Sequence, residues 1–438
     1  MVRYSRDFEE TELPEVAAPK SRARYAARRE AIMAAATQVF VEQGVGGFTL
    51  AAVAKRMDLH PVSLTYYFKR KEDLAAACLL DTLARFDAMV AGAESEATPQ
   101  GRLGAFVRSY FETRRRIVLD LEPPLAPFDE IRLIGGQHEA ALMAAFQGLN
   151  RRIANLLSTP ELPWLSTNRR LLLGWLIIEQ VCWSNAWLSS YEPEDYARVA
   201  ERIADLMVNG LNGAGQAQPD LPLTVLGAPI DPDGEVTRER FLVAATELIN
   251  LQGYRGASVD KISACLNVTK GSFYHHNTDK DELAVACFER TFDLIDEAKR
   301  GALQAGNGWR RLWQACASLS VYQATGTRGR MLRHYALAAV PQDMRRAMLN
   351  RLLQITHSFA GQIADGIADG SIRPVDPLIA AHLLMATFNS ASFWLITDPE
   401  VITRDTLRAH VRPALMGFFT PPAEGERAPS AATGSAPA

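Results

Sequence analysis

The sequence predicts an all-α protein built from two tandem units, and three observations carry that prediction. Apolar residues recur at helical spacing along almost the whole chain, with no sustained strand alternation. The sequence matches itself when displaced by 209 positions. A Gly- and Pro-rich stretch, residues 213–236, separates the two copies and reads as a linker.

The match is dense over residues 29–78 and 238–287. Arg29 and Glu30 fall on Arg238 and Glu239, and Ala35, Ala36 and Thr37 on Ala244, Ala245 and Thr246. Gln43, Gly44 and Gly47 fall on Gln252, Gly253 and Gly256, and Ser63 on Ser272. Lys71, Leu74, Ala75, Ala77 and Cys78 fall on Lys280, Leu283, Ala284, Ala286 and Cys287. Each copy then opens with the same series of helices. Ile32, Ala35, Ala36, Val39 and Phe40 share one face of a first helix, as do Phe241, Ala244, Ala245, Leu248 and Ile249. Gly44 and Gly253 stand where a helix end calls for a left-handed residue. Thr49 and Ser258 are N-cap residues for a second, short helix, which turns Leu50, Val53 and Ala54, or Val259 and Ile262, inward. That helix ends at Asp58 or Asn267, side chains that tolerate the left-handed region. A third short helix follows, with Pro61 at its first position in one copy and Thr269 as its cap in the other. Its buried anchors are Leu64 and Phe273. A fourth helix starts near residues 71–74 and 280–283.

Composition narrows the function classes. With 48% apolar and 22% charged residues in 438, the chain can bury cores of ordinary size, which argues against wholesale disorder or a disulfide scaffold. The net charge of −3 means that a nucleic-acid partner must be met by locally concentrated positive charge. Cys78, Cys182, Cys265, Cys287 and Cys316 are scattered without a C-x-x-C pair, which fits a reducing compartment and neither a metal site nor a disulfide frame. The remaining histidines form no ligand pair, and no nucleophile elbow or phosphate loop is visible, so no catalytic set, metal or cofactor is expected. The acidic N-terminus lacks a signal-peptide core, and residues 1–19 and 420–438 read as disordered. Two apolar stretches, residues 171–188 and 378–396, carry Glu179 and Asn185, or His382 and Asn389. They read as buried interface helices rather than membrane spans, and the protein as cytoplasmic.

Two short helices around a tight turn, the second small, polar and aromatic, suit a recognition helix in the major groove. With TKGSFYHHNTDKDEL at 269–283 and the looser HPVSLTYYFKRKEDL at 60–74, both copies resemble the tetracycline-repressor (TetR) family of bacterial transcriptional regulators. The resemblance implies two helix-turn-helix domains, at 20–75 and 237–284, each followed by a helical ligand-binding and dimerisation region, at 76–212 and 285–419. It also implies a double-stranded DNA operator, a small-molecule inducer of unknown identity and binding residues, and repression as the mode of action. Three positions depart from the pattern: Val62 where Gly271 stands, Thr65 where Tyr274 stands, and Asn277 where Phe68 stands.

Residue chemistry assigns roles within that frame. Thr49 and Ser258 offer a hydroxyl and backbone N–H groups to phosphate; Tyr67 and His276 end the recognition helix as phosphate donors; Lys71 and Lys280 add charge at a helix start. Base edges fall to His60, Ser63 and Tyr66 in the first copy and to Thr269, Lys270 and Ser272 in the second, with Tyr274 as a further DNA-binding residue there. Residues 20–71 hold ten Lys and Arg against three acidic residues, whereas 229–280 hold six against seven. Most of the excess is an upstream arm containing Arg22 and Arg24, suited to the adjacent minor groove.

Further along each half, Trp175, Trp183, Trp187 and Trp394 read as core or interface, and Tyr322, His334, His357 and Phe388 equally as lining for an inducer pocket or as ordinary buried residues. Each half ends in a helix pair, 168–190 with 194–211 and 377–396 with 400–419, whose mutual burial would make one chain an internal pseudo-dimer; a homodimer is the alternative. The linker would reach about 80 Å fully extended and about 27 Å as a flexible coil. The rival reading is a helical ligand- or partner-binding module in which one or both helix-turn-helix units are degenerate.

Overall fold

The computed structural model describes residues 19–128, 131–213, 215–227, 229, 237–277, 279–326, 328–333, 336–337, 340, 342–397 and 411–421. Among these there is no strand, only an isolated antiparallel bridge between Asn212 and Ile372. The protein is all-α. In chain order the helices are α1 (Pro19–Gly47), α2 (Leu50–Arg56), α3 (Pro61–Thr65), α4 (Lys71–Ala93), α5 (Pro99–Val118), α6 (Ile131–Ile134), α7 (Gly136–Leu156), α8 (Thr167–Trp183) and α9 (Tyr196–Asn209). The second half follows with α10 (Arg238–Gly256), α11 (Val259–Cys265), α12 (Lys270–His276), α13 (Lys280–Gly301), α14 (Gly308–Thr325), α15 (Gln342–Ala368) and α16 (Pro377–Thr397). Residues 411–416 are also helical.

The chain divides into two compact units. The first comprises Met1–Thr82 and Pro123–Leu142. Its core is Ile32, Ala36, Val39 and Phe40 of α1, with Val53, Ala54, Leu64, Phe68 and Leu74 packed around them. Gly44 bends α1 with a φ of 62°, and Asp58 takes a φ of 53° in the turn after α2, as their residue types predict. Residues 19–28 continue α1 as helix, because Ala and Arg are good helix formers and no breaker intervenes.

The second unit comprises Leu83–Glu122 and Met143–Ala438. It contains the second helix-turn-helix, where Gly253 and Asn267 repeat the roles of Gly44 and Asp58, with φ of 70° and 53°. It also contains the helices that join the halves. Buried Gln180 of α8 donates to Thr387 Oγ1 of α16 at 3.4 Å, and Asn389 donates to Glu179. The Trp187 indole stacks on His382 at 4.5 Å. Arg373 ties to Asp205 at 2.6 Å and to the Gly210 carbonyl at 2.7 Å, and Arg202 to Asp376. Leu211 N–H donates to Leu415 O, and Phe418 N–H to Met207 O, so the two chain segments run in direct contact. That approach requires Gly210, at φ 64°: a Cβ there would lie 2.3 Å from the Gly417 nitrogen.

Two expectations are corrected here. The expected single helix 168–190 stops at Trp183 and gives way to short 3-10 turns, so α9 starts at Tyr196. The linker is no loose coil over its described length. Trp309 Nε1 donates to Ala217 O, Thr224 N–H to Ser318 Oγ, Gly227 N–H to Glu297, and Leu226 is buried. Backbone groups that find partners on helices lose the reason to stay solvated. Residues 398–410, most of the expected last helix, lie outside the described residues, as do 1–18 and 422–438. No helix among the described residues is long and apolar enough to cross a membrane.

Candidate nucleic-acid interface

The first recognition helix is α3. His60 caps it: Nδ1 accepts from Val62 N–H at 3.4 Å, which fixes the ring at the helix start and leaves Nε2 as its outward atom. Leu64 is fully buried beneath, while Ser63, Val62, Thr65 and Tyr66 face outward, Tyr66 with 71% exposure. Thr65 folds its hydroxyl back onto Val62 O at 2.7 Å, so this side chain closes α3. Thr49 caps α2 by accepting from Ala52 N–H at 3.0 Å; its own hydroxyl proton remains available to a phosphate oxygen. Tyr67 is half-buried because Tyr25 of the arm stacks on it, with centroids 4.9 Å apart.

Lys71 opens α4, followed by Glu72 and Asp73, which suit the positive helix end that Lys71 does not. Burial opposes ionisation of Asp73, but hydrogen bonds from His138 at 2.8 Å and from Arg70 overcome it and hold the carboxyl below its usual value. Arg24 is exposed on α1; the Arg22 side chain lies outside the described residues. Arg56 is occupied by Gln38 and Glu42, both at 2.8 Å.

The second recognition helix, α12, is longer and differently charged. Thr269 caps it by accepting from Ser272 N–H at 3.4 Å, Ser258 caps α11 through Lys261 N–H, and Phe273 is fully buried. Tyr274 is 58% exposed. Two cations expected to face DNA are otherwise engaged. Lys270 pairs with Asp260 at 2.6 Å, and Lys280 Nζ sits 4.1 Å from the centre of the Tyr254 ring. His276 packs on Phe241 and His275. Asn277 is buried where the first unit has Phe68; its Nδ2 reaches Phe273 O, and its Oδ1 is buried without a hydrogen-bond partner.

Tyr25 and Asp260 escaped the sequence reading. Tyr25 stands in a run of Ala and Arg, and its partners lie 41 and 42 residues away, beyond any local periodicity. The Arg290 cluster escaped it too. Buried Arg290 bonds Glu239 of α10, Tyr322 Oη at 2.7 Å, Arg328 O at 2.7 Å and Arg330 O at 2.9 Å.

A family model described as bacterial regulatory proteins, tetR family, matches residues 32–78 and 241–287. Over those two segments the chain is similar to the tetR family of bacterial regulatory proteins. The match occurs twice, and both copies fall on the capped helices described above. The Transposon Tn10 TetC protein of Escherichia coli is 36% identical over 76 residues, which are 17% of this chain and 39% of TetC. The chain thus spans well under half of that relative. The HTH-type transcriptional regulator YhgD of Bacillus subtilis (strain 168) is 26% identical over 172 residues, 36% of this chain and 82% of YhgD. A crystal structure of AibR with isovaleryl coenzyme A and operator DNA aligns with 41% of this chain and 98% of its own, at 23% identity and a TM-score of 0.36.

The inducer-pocket residues fare unevenly. A cavity of about 50 Å³ in the second half is lined by Phe388, Phe288, Thr291 and Asn389, and by Trp183 from the first half. Tyr322 turns instead to Arg290, His357 is exposed on α15, and His334 lies outside the described residues. Trp183 and Trp187 are buried, and Trp175 packs against Phe146. The Trp394 side chain is not described.

Proposed function

We propose that this protein is a cytoplasmic transcriptional regulator, a repressor without enzymatic turnover, that binds a double-stranded DNA operator and releases it when a small molecule binds. The observation that carries this reading is the pair of capped recognition helices. Each is anchored by one buried side chain, Leu64 or Phe273, and each presents small, polar and aromatic side chains outward. Ser63, His60 and Tyr66 read bases in the first unit, with Thr49, Tyr67 and Lys71 on phosphates and Arg22 and Arg24 of the arm at the adjacent minor groove. In the second, Thr269, Ser272 and Tyr274 read bases and Ser258 and His276 meet phosphates; Lys270 and Lys280 would first have to leave Asp260 and Tyr254.

One chain acts as an internal pseudo-dimer, supported by the contacts of α8 and α9 with α16 inside one compact unit. The domain limits are those read from the sequence: 20–75 and 237–284 for the readers, 76–212 and 285–419 for the regulatory regions. Because 60–67 and 269–276 differ at most outward positions, the operator is asymmetric, with unlike half-sites about 34 Å apart. The mostly apolar cavity beside Thr291 favours a small, mainly apolar ligand. The segment 328–333 offers its route to DNA: Met331 and Leu332 line the cavity, while Asn250 of α10 clamps Met331 O and Arg333 N–H at 3.0 Å.

The test is a genome-wide binding map followed by footprinting and light scattering. Discrete sites with two unlike half-sites, bound by a single chain, support the proposal. A palindromic footprint with a mass near twice 48.2 kDa would defeat the pseudo-dimer, and absence of any bound site would defeat DNA reading. The pairing of Lys270 with Asp260 favours one second reading, in which α12 is a structural copy and only the first unit reads DNA.

A further inference from the structure

Resting on the operator-reading role, we propose that Tyr25 is a positioning residue for DNA: its ring, carried by the helical basic arm, holds Tyr66 and Tyr67 in the orientation in which they meet the duplex. The geometry is a three-ring cluster. Tyr25 stacks on Tyr67 at 4.9 Å with 27° between planes, and meets Tyr66 edge-on at 5.9 Å. Tyr66 and Tyr67 are themselves edge-to-face at 5.1 Å. All three separations lie where aromatic pairs attract.

The cluster has an outward purpose rather than a core one. The buried face of α1 begins at Ile32, two turns beyond Tyr25, and Tyr66 stays mostly exposed. An exposed tyrosine gives up rotamer freedom when it binds; one already packed against a neighbour gives up less. The arm is fastened at a second point one turn on, where the Arg29 guanidinium lies 5.1 Å over the Phe68 ring and donates to Met33 Sδ. Residues 66–68, which follow the recognition helix, are thus gripped by two side chains of α1. Because Arg24 and Arg28 ride exposed on the same helix, the same grip ties their charge to the reading surface. The second half has no counterpart in its sequence: the register that places Lys71 on Lys280 places Tyr25 on Gly234.

The test uses the full chain and a fluorescein-labelled duplex that the wild-type protein selects from a random-sequence pool, with thermal unfolding followed for every variant. Tyr25→Ala is expected to weaken binding about tenfold and Tyr25→Phe by less than about twofold, with unfolding unchanged, because the ring and not its hydroxyl does the propping. In a Tyr67→Ala background, Tyr25→Ala is expected to cost less than about threefold, since the stacked ring is gone and only the edge contact with Tyr66 remains. Three results overturn the proposal: wild-type affinity in Tyr25→Ala, equal losses in Tyr25→Phe and Tyr25→Ala, or an undiminished effect without Tyr67. If the wild-type chain selects no duplex, operator reading fails and the proposal falls with it, an outcome distinct from normal binding that ignores Tyr25.

Discussion

The two reading heads share a fold and differ in almost everything that would give affinity. The first sits in a compact unit with residues 123–142, carries the basic arm, and buries Phe68 at the position where the second buries Asn277. The second belongs to the unit that holds its regulatory helices, and it is tied there by Arg290, which has Asp81 as its counterpart in the first copy. Lys270 lies in an exposed ion pair with Asp260, and Lys280 sits over an aromatic ring. After duplication, caps and turn residues keep a helix-turn-helix in shape, while charge and core substitutions are free to separate. Shape and affinity are therefore separate properties of this motif, and the pair of copies lets them be tested against each other.

The largest effect is expected at the tether. Arg290→Met leaves Glu239, Tyr322 Oη and two backbone carbonyls without their buried donor, so the unfolding free energy from urea titration should fall by about 3 kcal/mol. Asp81→Ala, at the matching exposed position, should change it by less than about 0.5 kcal/mol. Equal effects would remove the distinction drawn between Arg290 and its counterpart in the first copy. A similar magnitude attends Phe68→Asn, which copies the second core into the first. It removes a fully packed ring and buries an amide, and should destabilise the first unit by about 3 kcal/mol in the same titration.

Between pH 7 and pH 5, above the range in which the carboxylates titrate, acid should act through the second half. Burial, with the charge of His357 nearby, pushes the His382 imidazole down to about 3 while it stacks on Trp187. Aligning the Trp187 and Trp394 motifs sets Trp175, which does not titrate, at its place in the first half. Below pH 6.5 the unfolded chain binds a proton that the folded chain excludes, so stability falls as pH drops toward the folded value. The loss at pH 5 should be about 2 kcal/mol relative to pH 7. His382→Phe should remove that loss, with Trp fluorescence during urea unfolding at each pH as the measurement. An unchanged pH dependence in the variant would assign acid sensitivity elsewhere.

Much of this was legible in the chain because helix signals are local. Thr49, Ser258 and Thr269 as caps, Gly44, Asp58, Gly253 and Asn267 as turn residues, and Leu64 and Phe273 as anchors each depend on neighbours within four or five residues. What escaped depends on distance in sequence. Tyr25 meets Tyr67, Asp260 meets Lys270, and Arg290 meets Glu239 and Arg328, contacts that no periodicity encodes. Net charge per copy was readable, but which cations stay available is decided by such long contacts. The arm's charge was readable in the chain; that residues 19–28 continue α1 follows from their Ala and Arg content.

The smallest expected effect bears most directly on affinity. Each neutralised phosphate contributes about −0.9 to the slope of log affinity against log salt. Lys71 opens α4 beside the recognition helix, and placing a cation at a positive helix end is unfavourable unless a phosphate answers it. Lys71→Ala should therefore lower the slope by about one and weaken binding to every sequence alike. Lys280 begins from its contact with Tyr254 and must give that up before meeting a phosphate, so Lys280→Ala should lower the slope by less than about half as much. Ser63→Ala, by contrast, should leave the slope alone and change base preference at a single position. Fluorescence anisotropy across salt concentrations measures all three variants. Equal slope losses for Lys71 and Lys280 would mean that DNA draws the second lysine off its ring, and the second head would then be a full reader despite its neutral surroundings.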